Sequence, residues 1–339
     1  MNEKEVPRNA TLYRTWRFLL LIQYAIPISF KDRQQQGAAD AAHTKGSAYM
    51  TRKLAVLLMV LILATTSAFL YYYSKGDGRT STSGLDLFAG GKNSFDEQKS
   101  ILATGVDLVD VSSITAEVSV SYADVEEITA HFWGDATLVS GYPIPALTVE
   151  MVGTTVKIEV EPRNIMGFRM LFSDLNLDVT LPYSYAADLK VASVSGAIIL
   201  DGFTGGSLDI DNVSGRLELG DLELKGSLSA NLVSGSIDVD KALAAGSISA
   251  KTVSGSIKFG EIWSDTSMKL GTVSGSVRVG IGGDKGFRVS ASSVSGQVSC
   301  DMPVRIESST SKKLVGTVGD ARSNLDIETV SGSIGINSL

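Results

Sequence analysis

From about residue 105 onward, apolar and polar residues alternate in short runs, the period of strands that bury one face. Residues 114–120 alternate in this way, and residues 128–133 predict another short strand. The runs 147–152 and 156–160 flank Gly153-Thr154-Thr155, which predicts a hairpin. Residues 175–181 alternate once more before Pro182.

Beyond residue 189 the alternation itself repeats. The tripeptide Val-Ser-Gly recurs with its Val at Val194, Val213, Val233, Val253, Val273, Val294 and Val330, at spacings of 19, 20, 20, 20, 21 and 36. Five apolar positions align in each unit. In one unit they are Leu208, Ile210, Val213, Leu217 and Leu219, and in the next Leu228, Ala230, Val233, Ile237 and Val239. A fixed period of this length marks a stacked architecture. The reading is an all-β chain: a single-stranded parallel β-helix of ~20-residue coils, right-handed, with Val-Ser-Gly as the corner of each rung. Gly relieves the backbone at the bend, Ser bonds local backbone groups, and Val joins the core. The gap of 36 implies an inserted coil or loop that includes residues 308–313. Residues 105–188 are read as strands that cap or begin the solenoid, and residues 189–339 as the repeat itself.

Residues 54–73 (LAVLLMVLILATTSAFLYYY) are twenty residues without a charge, enough to cross ~30 Å of hydrocarbon. Arg52 and Lys53 precede them and Tyr71, Tyr72 and Tyr73 close them, which predicts a transmembrane helix with the C-terminal side extracytoplasmic. The competing reading is a signal peptide cleaved near Thr66-Ser67-Ala68. The apolar run continues past that point, which favours an uncleaved anchor. No Cys follows the run, as a lipoprotein would require. Residues 1–53 are then cytoplasmic, unless translation starts at Met50, and residues 74–104, rich in Gly, Ser and charge, read as a flexible linker. Residues 18–30 are apolar but only thirteen long, with Gln23 and Pro27 inside, short for a span; a span there would instead place the main domain in the cytoplasm.

Charge follows this division. Residues 1–73 carry 9 Lys and Arg against 4 Asp and Glu; residues 74–339 carry 21 against 33, a net −12. A portion this acidic argues against a nucleic-acid partner.

The stretches TVSGSI at 252–257 and 329–334, TVSGSV at 272–277 and LDVTLP at 177–182, with an N-terminal anchor, resemble the bacterial putative-adhesin family of repetitive β-solenoid domains. The resemblance covers about residues 105–339. It implies an extracytoplasmic β-helix at the cell envelope. Related solenoids in membrane proteins tied to envelope stress imply a second, regulatory reading.

Candidate chemistry is sparse. His43 and His131 lie outside the repeats, so the repeat serines Ser195, Ser214, Ser234, Ser254, Ser274, Ser295 and Ser331 have no base to activate them. Cys300 falls where other coils have Leu219, Val239, Phe259 and Val279, which predicts a buried thiol. Asp209, Asp211, Glu218, Asp221, Glu223, Asp238 and Asp240 cluster in two coils; a solvated face outweighs a Ca²⁺ site or a glycosidase pair. The predicted outward column Glu218, Asp238, Lys258 and Arg278 changes sign midway, and Gly282-Gly283-Asp284 falls in a loop. Phe203, Phe259, Trp263 and Phe287 are the aromatics of the repeats, with Trp263 either a contact residue or a cover for the core edge. No catalytic residue, cofactor or metal site is expected. The chain reads as a non-catalytic adhesion or protein-interaction surface, whose partner is an envelope or surface protein or a glycan. An envelope-stress sensor comes second and a glycan-active enzyme third. The last rung, ending at Leu339, offers an open edge for self-association or strand addition.

Overall fold

The computed structural model describes residues 90–139, 145–162, 170–282 and 285–339, all within a compact unit that spans 84–339. The expected transmembrane helix at 54–73 and the segment before it lie outside the described residues.

Every regular element among the described residues is a strand. In chain order these are β1 (Gly90–Leu102), β2 (Leu108–Ser113), β3 (Glu117–Ala123), β4 (Glu127–Val139), β5 (Pro145–Val152), β6 (Thr155–Pro162) and β7 (Met170–Pro182). The repeat follows with β8 (Asp188–Ser195), β9 (Ile198–Gly205), β10 (Leu208–Ser214), β11 (Leu217–Leu224), β12 (Leu228–Ser234), β13 (Ile237–Ala244), β14 (Ile248–Ser254), β15 (Ile257–Ser264), β16 (Ser267–Ser274) and β17 (Val277–Ile281). The last six are β18 (Phe287–Ser293), β19 (Val298–Cys300), β20 (Arg305–Thr310), β21 (Lys313–Val318), β22 (Ser323–Ser331) and β23 (Ile334–Ser338).

From β8 to β17 the chain alternates between two sheets, one of 12 strands and one of 11. The strands pair in parallel from coil to coil, at a register of nineteen for the first step, Leu189 opposite Leu208, and of twenty thereafter: Leu208 opposite Leu228, Leu228 opposite Ile248, Ile248 opposite Met268. The parallel stack of ~20-residue coils is therefore present. Like residues sit over like, so the columns beginning at Leu208, Ile210, Leu217 and Leu219 are buried throughout this region. Each fully buried Leu or Ile contributes about 1.5–3 kcal/mol.

The fifth predicted column is wrong. Val194 and Val330 are each 48% exposed and Val294 is 66% exposed, while the residue before each Val is the buried one. Period two decides this: Leu208 and Ile210 point inward, so Asn212 does too, and Val213 points out. At that inward position stand Ser193, Asn212, Leu232, Thr252, Thr272, Ser293 and Thr329. Most are polar because they serve the corner. Asn212 Nδ2, Thr252 Oγ1, Thr272 Oγ1 and Thr329 Oγ1 donate to the carbonyls of Gly196, Gly235, Gly255 and Gly275, at 3.0, 3.3, 3.0 and 3.2 Å. These bonds satisfy carbonyls that the bend turns out of the strand ladder.

The corner glycine is forced twice over. Gly255 has φ +152°, and a Cβ there would stand 1.9 Å from the carbonyl oxygen of Gly235 one coil below. Close stacking of corners excludes any side chain, whatever its rotamer.

The ends of the stack break chain order. Strands β2 and β3 form a coil that pairs with β8 and β9 on one side and with β6 and β7 on the other. Of residues 114–120, expected as one strand, 114–116 instead form the corner between β2 and β3, where Ala116 N donates to Ser113 Oγ at 3.1 Å. At the far end, β22 and β23 lie between β16/β17 and β18/β19. Ile334 faces Val277 in one neighbour and Val298 in the other. The rung expected to be the open end is thus internal, paired along both edges. The insertion behind the 36-residue gap is the antiparallel hairpin β20–β21, which turns the chain back so that β22 can enter parallel to β16. Edges of the two sheets at this end belong to β19 and β20 instead.

Residues 90–102, expected inside a flexible linker, form β1 against β4 over thirteen registered pairs. Phe95 anchors it, buried with its ring 5.4 Å from that of Phe132, while Asp96 and Gln98–Ser100 face outward. The charge in this run marked a solvated strand face rather than a linker. The predicted hairpin is present, with β5 and β6 joined at Gly153 and Thr154.

Candidate functional site

Stacked corners produce the most regular surface on the molecule. Registers that place Ser195, Ser214, Ser234, Ser254, Ser274 and Ser331 in one line carry the neighbouring valines into a parallel line. Ser295 joins the end of it, its N–H donating to the Val330 carbonyl at 2.9 Å. The result is a ridge of half-exposed or exposed valines beside a rail of exposed serines. With seven rungs spaced ~4.8 Å apart, the ridge runs roughly 29 Å. The outward turn of these valines was missed in the sequence because their apolar character suggested the core. Strict alternation from Leu208 would have found it.

A second feature is a groove on another corner. The column Thr204, Glu223, Leu243 and Trp263 runs along one side. Trp263 is 9% exposed, its Nε1 donates to Asp265 Oδ1 at 3.0 Å, and Lys285 Nζ stands 5.2 Å from the ring centroid. A cation over an indole face contributes about 0.5–1 kcal/mol at such a site. Cavities of about 400 and 620 Å³ adjoin this contact, the larger reaching Asp320 and Arg322, which form an ion pair. Of the two readings of Trp263, cover for the core edge fits its burial.

The outer face near the start of the unit carries Trp133, 41% exposed, whose Nε1 donates to Asp178 Oδ2 at 2.6 Å. His131 Nε2 lies 2.8 Å from Asp96 Oδ1, and the His131 and Trp133 rings are 6.3 Å apart. This patch was not foreseen, because β4 and β7 meet only in the folded sheet.

The acidic candidates do not converge. Asp209 and Asp211 lie on one sheet and Glu218, Asp221 and Glu223 on the other. Asp211 Oδ1 accepts from Asn231 at 3.1 Å, and Glu218 pairs with Arg216 at 3.2 Å. Asp221 stacks on Lys241, itself 3.5 Å from Glu261. The column Glu218, Asp238, Lys258 and Arg278 is in register as predicted. Among the described residues no three His, Cys, Asp or Glu side chains gather closely enough to hold a metal ion.

Cys300 packs half-buried against the core, in register with Ile336. Burial pushes its thiol up, the Met302 backbone opposes this, and Asp301 adds to it. Such a thiol is a weak nucleophile near neutrality.

No curated protein matches the chain. Among solved structures, a putative cell adhesion protein from Clostridium sporogenes is 11% identical at a TM-score of 0.31, over 73% of this chain and 100% of that one. A putative adhesin from Bacteroides fragilis is 10% identical at 0.36, over 72% and 97%. A putative lipid binding protein from Parabacteroides distasonis is 14% identical at 0.25, over 72% and 96%. Scores this low carry no argument about function. The family model Toastrack DUF4097 matches residues 173–261 and 241–337, from within β7 through the repeat coils into β23. The likeness to this family model therefore lies in the repeat region of the chain.

Proposed function

We propose that the chain is a non-catalytic interaction scaffold, held at a cell membrane by residues 54–73 with its solenoid outside the cytoplasm. Its valine ridge is the contact surface for adhesion or for another envelope protein. One observation carries this reading. The buried column at Leu208 drifts through Leu228, Ile248 and Met268, whereas the corner with its side chain turned outward is Val in all seven repeats. Val213, Val233, Val253 and Val273 are half-buried and Val194, Val294 and Val330 exposed, so burial in the core does not account for a constant apolar residue here. A continuous, partly exposed apolar stripe supports an interaction surface. The coil is taken as right-handed, the hand that parallel crossovers adopt almost without exception. The charge-free run at 54–73, preceded by Arg52 and Lys53, supports the anchor and its orientation.

Two experiments test the reading. Protease added to intact cells removes the 84–339 unit if the orientation is right, and leaves it whole if the unit faces the cytoplasm. Cells displaying the full chain with Val213→Thr, Val233→Thr and Val253→Thr, which keep side-chain shape, lose binding to neighbouring cells by about tenfold, ~1.4 kcal/mol. Unchanged binding with unchanged display would reject the ridge as the contact surface.

A further inference from the structure

We infer that the C-terminal rung, β22 and β23, exchanges between two copies of this chain. Each copy then fills the slot between β16/β17 and β18/β19 of the other. The slot is made by the fold rather than by the sequence spacing. Val273 and Val294 are 21 residues apart, nearly the 20 that separates directly stacked coils elsewhere, yet a third coil lies between theirs. That coil enters through pairings that any copy could supply. Leu325 meets Met268 on one side and Val289 on the other, and Ile336 meets Val279 and Cys300. A rung from a second copy would make the same contacts, so exchange costs no packing, and this makes it a low-cost route to a dimer.

The hinge supplies the bias. The rung is joined to β21 by Gly319, Asp320, Ala321 and Arg322. Gly319 has φ +57° and Ala321 has φ +54°, and Ala321 is the one non-glycine residue with positive φ among the described residues. An L side chain is strained there, and short strained hinges invite swapping. Opening the hinge to reach a second copy lets Ala321 return to extended backbone. The N-terminal out-of-order coil, β2 and β3, has no such residue beside it and stays in its own chain.

Exchange is tested with two full-length chains, both carrying Cys300→Ser. One carries Ser292→Cys and the other Glu328→Cys, at registered positions of neighbouring strands that are half-buried and exposed respectively. Neither chain can form this crosslink alone. After a brief denaturant pulse and joint refolding at high concentration, a short-span thiol crosslinker yields a covalent heterodimer, well above the homodimer formed by each chain separately. Dilution before refolding suppresses it. No heterodimer above those controls at any concentration would overturn the proposal. Adding Ala321→Gly to both chains relieves the hinge in the closed form and lowers heterodimer yield by about thirtyfold, the ratio expected when the dimer opens two hinges, each with one residue's left-handed strain. Equal yields with and without it would overturn the role given to the hinge.

Discussion

The middle of the solenoid and its two ends are built from the same rung but obey different rules of order. Between β8 and β17 each coil stacks on the coil just made, and position in sequence equals position in the stack. At both ends a coil distant in sequence is slipped beneath the terminal one: β2/β3 inside β6/β7, and β22/β23 inside β18/β19. The repeat thus defines the shape of a rung without defining its neighbours. Any rung with the right apolar columns fits on any other, and the connections decide which is chosen. Out-of-order ends have a consequence for stability, because the terminal coil cannot peel away without exposing a rung from elsewhere in the chain.

The largest expected effect separates the corners from the turns outside them. Gly255→Ala would drive a methyl into the Gly235 carbonyl and should cost more than about 3 kcal/mol, as a buried backbone clash does. Gly105→Ala meets no atom within 4 Å and carries only the strain of φ +76°, about 1–2 kcal/mol. Chemical denaturation of the two variants should separate them clearly, and equal losses would show that corner stacking is looser than described.

Next come the apolar columns, compared between middle and end. Ile257→Ala and Ile334→Ala remove side chains that are both almost fully buried, and each should cost roughly 2–5 kcal/mol. Similar midpoints would confirm that the out-of-order rung is packed as firmly as the regular ones. A loss at Ile334 under 1 kcal/mol would mean that this rung is weakly held.

Smaller again is the corner hydrogen bond. Thr272→Val and Thr329→Val keep the shape and remove the donor to Gly255 and Gly275, at about 1 kcal/mol each. Equal effects would place the two corners in the same environment, one in chain order and one out of it.

Base should act first where the N-terminal coils meet the repeat. Tyr122 of β3 stacks on Tyr183 and tilts against Phe203 of β9, with ring centroids 6.2 and 6.3 Å apart. Burial pushes its hydroxyl up to about 12, with the Thr204 backbone pulling the other way. Tyr185 is raised too, chiefly by burial. A raised folded pKa means that the unfolded chain ionises first. The stability is therefore whole below pH 10 and is lost as pH climbs from 10 to about 12. Tyr122→Phe should flatten that loss, as followed by melting temperature against pH; an unchanged profile would assign the loss to other groups.

The period-two pattern and the twenty-residue spacing were enough to read the all-β class, the parallel coils, four of the five apolar columns and the place of Cys300. Each of these depends on neighbours within one coil or exactly one repeat away, which is information carried by the chain locally. The outward turn of the corner valines was legible too, by counting strictly from Leu208, although their apolar identity obscured it. Strand β1 was hidden because a charged run looks alike in a linker and on a strand face, and only the burial of Phe95 against Phe132 distinguishes them. Tertiary structure alone decided the order of the coils. Rungs with matching columns are interchangeable partners, so no local pattern can say that β22 lies on β16, or that the last rung is enclosed. That choice is made by the hairpin β20–β21, which reverses the chain and returns it to a slot already formed.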